Sequence, residues 1–144
     1  MIFVLNMSIF NKNNILIGDK ENNLINYYNY FYKLYYSVSD YTMYGISIKI
    51  DFVDIKTMNY YNYVKLIFNV SNNIDTINTI REIEHYILSK INKTIKYNLY
   101  NDLCKGYIKV QKNENNSQQD LIMRITGVWE DNIYCGISYK FMYV

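Results

Sequence analysis

The hydrophobic spacing of this chain changes from alternation to a helical repeat, and this change constrains the fold more than any other feature. Apolar and polar residues alternate in segments 45–55 and 62–70, as in strands with one buried face. In segment 74–91, isoleucine recurs every three or four positions, which is the spacing of a helix with one apolar side. Asp75 near its start and Lys90 near its end suit the helix dipole. One principal helix at about 74–91 is therefore predicted to cover a sheet.

Further strand signals lie on both sides of this helix. Apolar residues recur in a strand-like pattern in segments 107–111, 121–129 and 133–143. Segment 24–38 is ambiguous between helix and strand, and its many aromatic residues lead us to favour a strand. We therefore predict one α+β domain over residues 1–144, with a mostly antiparallel sheet or a partly open OB-like barrel of about six strands. A two-layer α/β sandwich is the alternative.

Residue types that bind metals or form disulfides are scarce. The chain has two cysteines, Cys104 and Cys135, and one histidine, His85, whereas a structural zinc site needs four ligands. We therefore expect no bound metal, and free thiols in a reducing, intracellular compartment, with a single disulfide as the alternative. No apolar run approaches the roughly 18–20 residues that cross a bilayer, so we expect no membrane association.

Motifs that carry catalysis are lacking as well. The sequence has no Gly-rich phosphate loop, no Gly-x-Ser-x-Gly and no His-Glu-x-x-His. A nucleophile at Cys104 would need His85 as its base, and nothing in the sequence brings the two together. We therefore expect a non-enzymatic protein without a cofactor.

The polar faces of the predicted strands repeat one combination, a cation with a tyrosine close by. In each strand the cation lies opposite the large apolar residues, because neighbouring side chains of a strand point to opposite faces. If the strands share one sheet, the cations form a band that contains aromatic rings. Such a band binds single-stranded nucleic acid, because the cations track the backbone while bases stack on the rings. The candidate residues are Lys49, Lys65, Lys109, Arg124, Lys140, Tyr63, Tyr107 and Tyr134.

The composition offers a simpler explanation of the same face. Ile, Asn, Tyr and Lys, which have A/T-rich codons, make up 74 of the 144 residues, and the chain has no Pro and no Ala. A gene from an AT-rich genome would place Lys and Tyr on any solvated strand face. A second functional hypothesis is an assembly protein, in which the tyrosine-rich segment 27–36 and exposed strand edges contact further copies or other proteins.

The C-terminal segment carries a resemblance to known proteins. Residues 125–130, Ile-Thr-Gly-Val-Trp-Glu, followed by residues 136–141, Gly-Ile-Ser-Tyr-Lys-Phe, resemble the final hairpin of small, mostly uncharacterised proteins of AT-rich large DNA viruses. The resemblance covers about 20 residues and implies a viral protein with an OB-like barrel that binds single-stranded DNA. It also implies a virion or a viral replication site as the location, with other viral proteins or further copies of the chain as partners.

Overall fold

The computed structural model describes residues 4–22, 30–113 and 120–144. Within these residues it contains eleven β-strands and two α-helices, with 3₁₀ turns at Lys12–Asn14 and Ser71–Asn73. The α+β class is confirmed, whereas the predicted number of about six strands is too low. The strands are β1 Leu5–Asn6, β2 Ile15–Asn22, β3 Tyr30–Val38, β4 Tyr41–Tyr44, β5 Ile46–Lys49, β6 Ile55–Asn59, β7 Tyr63–Phe68, β8 Thr94–Ile95, β9 Tyr107–Gln111, β10 Leu121–Glu130 and β11 Tyr134–Tyr143, and the helices are α1 Ile74–Leu88 and α2 Asn98–Leu103.

The strands form one open, mixed sheet built around the hairpin of β10 and β11. Its main path runs β1-β5-β10-β11-β9-β7-β6, and the other strands pair off this path. Strand β10 pairs with β5 through Ile122–Ile125 and with β3 through Gly127–Glu130, and a bulge separates the two halves. Most pairings are antiparallel, as predicted, although β1–β5, β8–β11 and β9–β11 are parallel. Over the described ranges the sheet does not close into a barrel.

Helix α1 covers the sheet face that carries the alternating apolar residues. Ile77, Ile80 and Ile87 of this helix have no exposed area, and they share one core with Ile46 and Leu66 of the sheet. Burial of one such side chain contributes about 1.5–3 kcal/mol relative to exposure. The helical repeat of isoleucine is thus explained by packing against the sheet.

Helix α1 begins at the predicted residue but ends at Leu88, so the predicted end at residue 91 is wrong. Ser89 Oγ donates a hydrogen bond to the carbonyl of Tyr86 at 2.8 Å, and this local bond competes with continuation of the helix. Ile91 stays buried in the following turn, which is why the isoleucine spacing runs past the helix. In the part of the chain that the structure describes, no helix is long and apolar enough to cross a membrane.

The ambiguous segment is a strand wherever the structure describes it. Residues 24–29 of the predicted segment 24–38 lie outside the described residues, and β3 accounts for the remainder. The predicted strand 45–55 is divided, because β5 ends at Lys49 and the chain then turns through Asp54, whose φ is 55°. The edge strand β6 follows this turn, and all five of its residues are exposed.

A buried carboxylate fixes helix α2 against helix α1. Glu84 of α1 has no exposed area, and its two oxygens accept hydrogen bonds from the backbone N–H groups of Leu99 at 3.0 Å and Tyr100 at 3.1 Å. These donors belong to the first turn of α2, where backbone N–H groups have no partner within the helix. Burial raises the pKa of Glu84 to about 7, and the two hydrogen bonds oppose that rise. The contact sets the position of the first turn of α2.

Two aromatic rings pack directly onto glycines on the face of the central hairpin opposite α1. A Cβ at Gly136 would lie 2.3 Å from Trp129 Cζ2, and a Cβ at Gly127 would lie 2.2 Å from Phe31 Cζ. Real side-chain carbons never approach so closely, so only glycine fits beneath each ring. Trp129 is 6% exposed, and its burial gives the second face of the hairpin an apolar contact of its own.

Candidate nucleic-acid interface

Strands β9 and β11 form a fork at the surface of the sheet. They pair in parallel at only two positions, Val110 with Phe141 and Gln111 with Met142. Toward the N-terminal ends of both strands this pairing stops, and α2 contacts the two diverging strands. A cavity of about 750 Å³ opens at this point, and we refer to it as the fork cavity. Cavities of this size hold small ligands in other proteins.

The fork cavity gathers five of the eight residues proposed from the sequence. Its wall also contains Asp102 in α2, Lys105 just after α2 and Tyr60 before β7, none of which the strand pattern singled out. Buried Ile108 and Phe141 supply apolar surface between the polar groups. The five proposed residues are Lys65, Lys109, Lys140, Tyr63 and Tyr107.

Strand register aligns four cations across four neighbouring strands. Lys65 on β7 is directly opposite Lys109 on β9, and Lys140 on β11 is directly opposite Arg124 on β10. Strands β9 and β11 pair at the residues that follow Lys109 and Lys140, so these two lysines occupy equivalent positions at the fork. We call Lys65, Lys109, Lys140 and Arg124 the cation row. At about 4.8 Å per strand, the row spans roughly 15 Å.

Three members of the cation row have no acidic partner among the described residues. No described carboxylate lies within 4.0 Å of the ammonium of Lys65, Lys109 or Lys140. Instead, Lys65 Nζ lies 4.4 Å from the ring centre of Tyr107, and Lys109 Nζ lies 4.5 Å from that of Tyr63. A cation–π contact at an exposed site contributes only about 0.5–1 kcal/mol and leaves the positive charge in place. Directly opposed like charges destabilise a sheet, so an anion on this face would relieve the repulsion.

The aromatic rings at the cavity differ in how much of their surface is available. The Tyr63 ring stacks on the Tyr60 ring with centroids 4.8 Å apart and 9° between their planes. Together with Lys109, this stacking occupies much of the Tyr63 ring, so Tyr63 is not an open platform for a base. Tyr107 is 45% exposed, and the neighbouring Tyr61 is 96% exposed. These two rings are the more accessible surfaces for stacking.

Arg124 belongs to the cation row by register but uses its guanidinium inside the sheet. Nη1 donates to Ser47 Oγ at 3.0 Å, and Nη2 donates to the carbonyl of Tyr44 at 3.1 Å. Gly45, with φ of 77°, passes beneath it, and a Cβ there would lie 2.9 Å from Nη2. Arg124 therefore joins β10 to the corner between β4 and β5, and its charge is less available to a ligand than those of the lysines.

Lys49 and Tyr134 are not brought to the fork cavity. Lys49 lies toward an edge of the sheet, where its Nζ is 3.7 Å from Asp120 Oδ1. Tyr134 precedes Lys140 by six positions on β11, which corresponds to about 20 Å along a strand. Its ring instead lies 4.3 Å from Lys96 Nζ. The strand pattern grouped both residues with the others, whereas the structure places them at separate locations.

Asp102 is held at the wall of the cavity by two neighbours. The Tyr139 hydroxyl donates a hydrogen bond to Asp102 Oδ2, and Lys105 Nζ lies 3.2 Å from Oδ1. Burial raises the pKa of Tyr139, and the bond to Asp102 raises it further. The raised pKa favours the protonated phenol, which donates this hydrogen bond to Asp102.

The residues suited to metal binding or nucleophilic chemistry remain apart. His85 Nδ1 lies 2.7 Å from the Tyr97 hydroxyl on the exposed side of α1. Cys104 and Cys135 are both free, the first exposed and the second buried. In the described ranges, no three His, Cys, Asp or Glu side chains form a group that could hold a metal ion.

The arrangement can bind a phosphate backbone on three lysines and a flat ring beside Tyr107. No protein-family model matches the chain, and no curated protein or solved structure is significantly similar to it.

Proposed function

We propose that this chain is a non-enzymatic protein that binds single-stranded nucleic acid across the cation row, with the fork cavity receiving part of one nucleotide. The observation that carries the proposal is the alignment of Lys65, Lys109 and Lys140 on adjacent strands, without a described acidic partner. This alignment has a cost in the free protein, because like charges at the opposed positions of Lys65 and Lys109 destabilise the sheet, and a bound phosphate backbone would offset that cost.

In this proposal each lysine neutralises a backbone phosphate, and a base stacks on Tyr107 or Tyr61. Phosphate contacts supply affinity that falls as salt rises, and each stacked base contributes about 1–3 kcal/mol. Neither term requires a particular sequence. The expected activity is therefore broad binding of single strands, with any base preference added by groups in the cavity.

An OB-like arrangement and a viral setting remain part of the proposal. Single-strand binding needs a basic groove with stacking rings, and an open sheet can supply both. The C-terminal segment that resembles viral proteins forms the β10–β11 hairpin, which contributes Lys140 to the row. On this proposal the protein acts inside the infected cell, at a replication site or in the virion.

A fluorescence anisotropy titration with a labelled thymidine oligonucleotide at low salt tests the proposal. We expect micromolar or tighter binding, and a several-fold loss for Lys140→Gln. The matched control is Lys90→Gln, which makes the same charge change just beyond the end of α1, in the helical layer. Absence of binding at low salt, or an equal loss of affinity in the two variants, would refute the proposal.

Strand β6 favours a second candidate function, assembly with further copies of the chain. Its five residues are all exposed, and it is the last strand on one side of the main path. An antiparallel copy centred on Thr57 would place Lys56 opposite Met58 and so avoid opposed like charges. By contrast, Tyr36 of the tyrosine-rich segment lies in the core, so that segment offers less contact surface than expected.

Light scattering over a range of protein concentrations tests this second function. Association that is abolished by Thr57→Pro would support pairing through β6, because proline cannot donate a strand hydrogen bond. A monomer at every concentration would exclude it.

A further inference from the structure

One acidic side chain stands in a cavity that is otherwise basic. Among the described residues, Asp102 is the only carboxylate in the wall of the fork cavity, which also contains Lys65, Lys105, Lys109 and Lys140. A carboxylate at this place weakens the attraction for phosphate, so the binding of phosphate does not explain why an aspartate lies here. Its hydrogen-bonding capacity suggests a different purpose.

The two partners of Asp102 leave one acceptor position on each of its oxygens. A carboxylate has about four lone-pair positions, two on each oxygen. Lys105 Nζ uses one on Oδ1, and the Tyr139 hydroxyl uses one on Oδ2. The bond from Tyr139 also fixes the orientation of the carboxylate. The side chain of Asp102 is 43% exposed, so a ligand in the cavity can reach the remaining acceptor positions.

Only one of the common bases has two adjacent donors on its Watson–Crick edge. Guanine presents N1–H beside the N2 amino group, which matches the two oxygens of a carboxylate. Adenine and cytosine each place an acceptor beside their amino group, and thymine and uracil place carbonyl oxygens on both sides of one N–H. Single-stranded bases are commonly recognised through this edge while stacked on aromatic side chains.

We propose that the fork cavity selects guanine, with Asp102 accepting hydrogen bonds from N1–H and the N2 amino group. This inference rests on the proposed binding of single strands and adds a base preference to it. The exposed Tyr107 ring lies in the same cavity as Asp102 and provides a stacking surface for the purine. Lys65, Lys109 and Lys140 bind the flanking phosphates.

The test compares three labelled oligonucleotides by fluorescence anisotropy at low salt. The first is all thymidine, the second carries one central guanine, and the third carries inosine in its place. Inosine keeps N1–H but lacks the N2 amino group, so it isolates one of the two proposed bonds. We expect the guanine oligonucleotide to bind about tenfold more tightly than the thymidine one, as for a bidentate base contact, with inosine in between.

The variant Asp102→Asn provides the second arm, because its amide opposes the guanine donors with a donor of its own. We expect the guanine-to-thymidine ratio to fall to about one, while loss of a negative charge strengthens binding of both oligonucleotides. Circular dichroism checks that the variant folds. If it does not fold, the guanine and inosine comparison in the unsubstituted protein still decides the question.

The outcomes separate this inference from the function on which it depends. Binding of all three oligonucleotides with equal affinity would overturn guanine selection and leave single-strand binding intact. A guanine preference that survives in Asp102→Asn would overturn the role of this carboxylate. Failure to bind any of the three at low salt would overturn the proposed function itself.

Discussion

Lys65 and Lys109 occupy directly opposed positions on β7 and β9, and each ammonium lies over the tyrosine of the other strand. Opposed side chains on antiparallel strands have Cβ atoms about 4.5–5.5 Å apart, so the two like charges repel each other. The two tyrosine contacts hold the ammonium groups on the sheet surface. The repulsion between these two lysines destabilises the folded protein when no ligand is bound. Both are held where an anionic ligand can bridge them.

A double-mutant cycle measures this repulsion. We expect the substitutions Lys65→Gln and Lys109→Gln to show a coupling of about 0.2–1 kcal/mol that is repulsive in the unsubstituted protein. Chemical denaturation at low and high salt measures it, and the coupling should shrink as salt screens the charges. A coupling near zero would contradict the repulsion, because it would mean that the ammonium groups lie too far apart to interact.

Arg124→Lys should separate stability from ligand binding within the cation row. Lysine keeps the positive charge but cannot serve Ser47 and the Tyr44 carbonyl together, so we expect unfolding free energy to fall by about 1–2 kcal/mol. Oligonucleotide affinity, measured at a temperature where the variant is folded, should change by less than that of Lys140→Gln. A larger loss of affinity for Arg124→Lys would show that its guanidinium binds the ligand.

Gly136→Ala should destabilise the central hairpin, because a methyl group would overlap the Trp129 ring. We expect a loss of about 1–3 kcal/mol, which is typical of overpacking. Denaturation followed by the emission of Trp129, the chain's one tryptophan, reports on this contact directly. Ser138→Ala on the same strand is the control and should cost much less. Equal costs would mean that the ring moves aside freely.

Glu84 should make stability fall as pH rises from about 4.5 to about 7. Its folded-state pKa, about 7, lies above the ordinary value of 4.5, so the folded state binds its proton more tightly than the unfolded state. The contribution is complete below pH 4.5 and is lost as pH passes through 7. Denaturation of the unsubstituted protein and Glu84→Gln across this range isolates it, because the variant should lack that pH-dependent loss. Parallel stability curves for the two proteins would contradict the assignment.

The local hydrophobic pattern was sufficient to predict the strands and the helix that bury one face. Val64, Leu66 and Phe68 are buried where alternation predicted, and α1 follows the isoleucine repeat from its first residue. The edge strand β6 was missed because none of its residues is buried, so it shows no alternation. The early end of α1 coincides with a serine hydrogen bond to the backbone, which apolar spacing does not encode.

The sequence predicted a sheet face for the candidate site but not how far along the strands the site extends. Strand parity predicted lysines on one face, and the register aligns three of them at the fork. Parity says nothing about position along a strand, which is why Lys49 and Tyr134 lie elsewhere. Asp102 and Lys105 were missed because α2 reaches the cavity through its contact with Glu84, and a strand pattern contains no signal for that packing.

The salt dependence of oligonucleotide binding tests the central claim most directly. If Lys65, Lys109 and Lys140 each neutralise one phosphate, the logarithm of the association constant should fall with the logarithm of salt with a slope of about −2. The combined variant Lys65→Gln, Lys109→Gln, Lys140→Gln should lose most of this slope, whereas Lys90→Gln should keep it. A combined variant that binds with an unchanged slope would contradict the account, because the phosphates would then contact other residues.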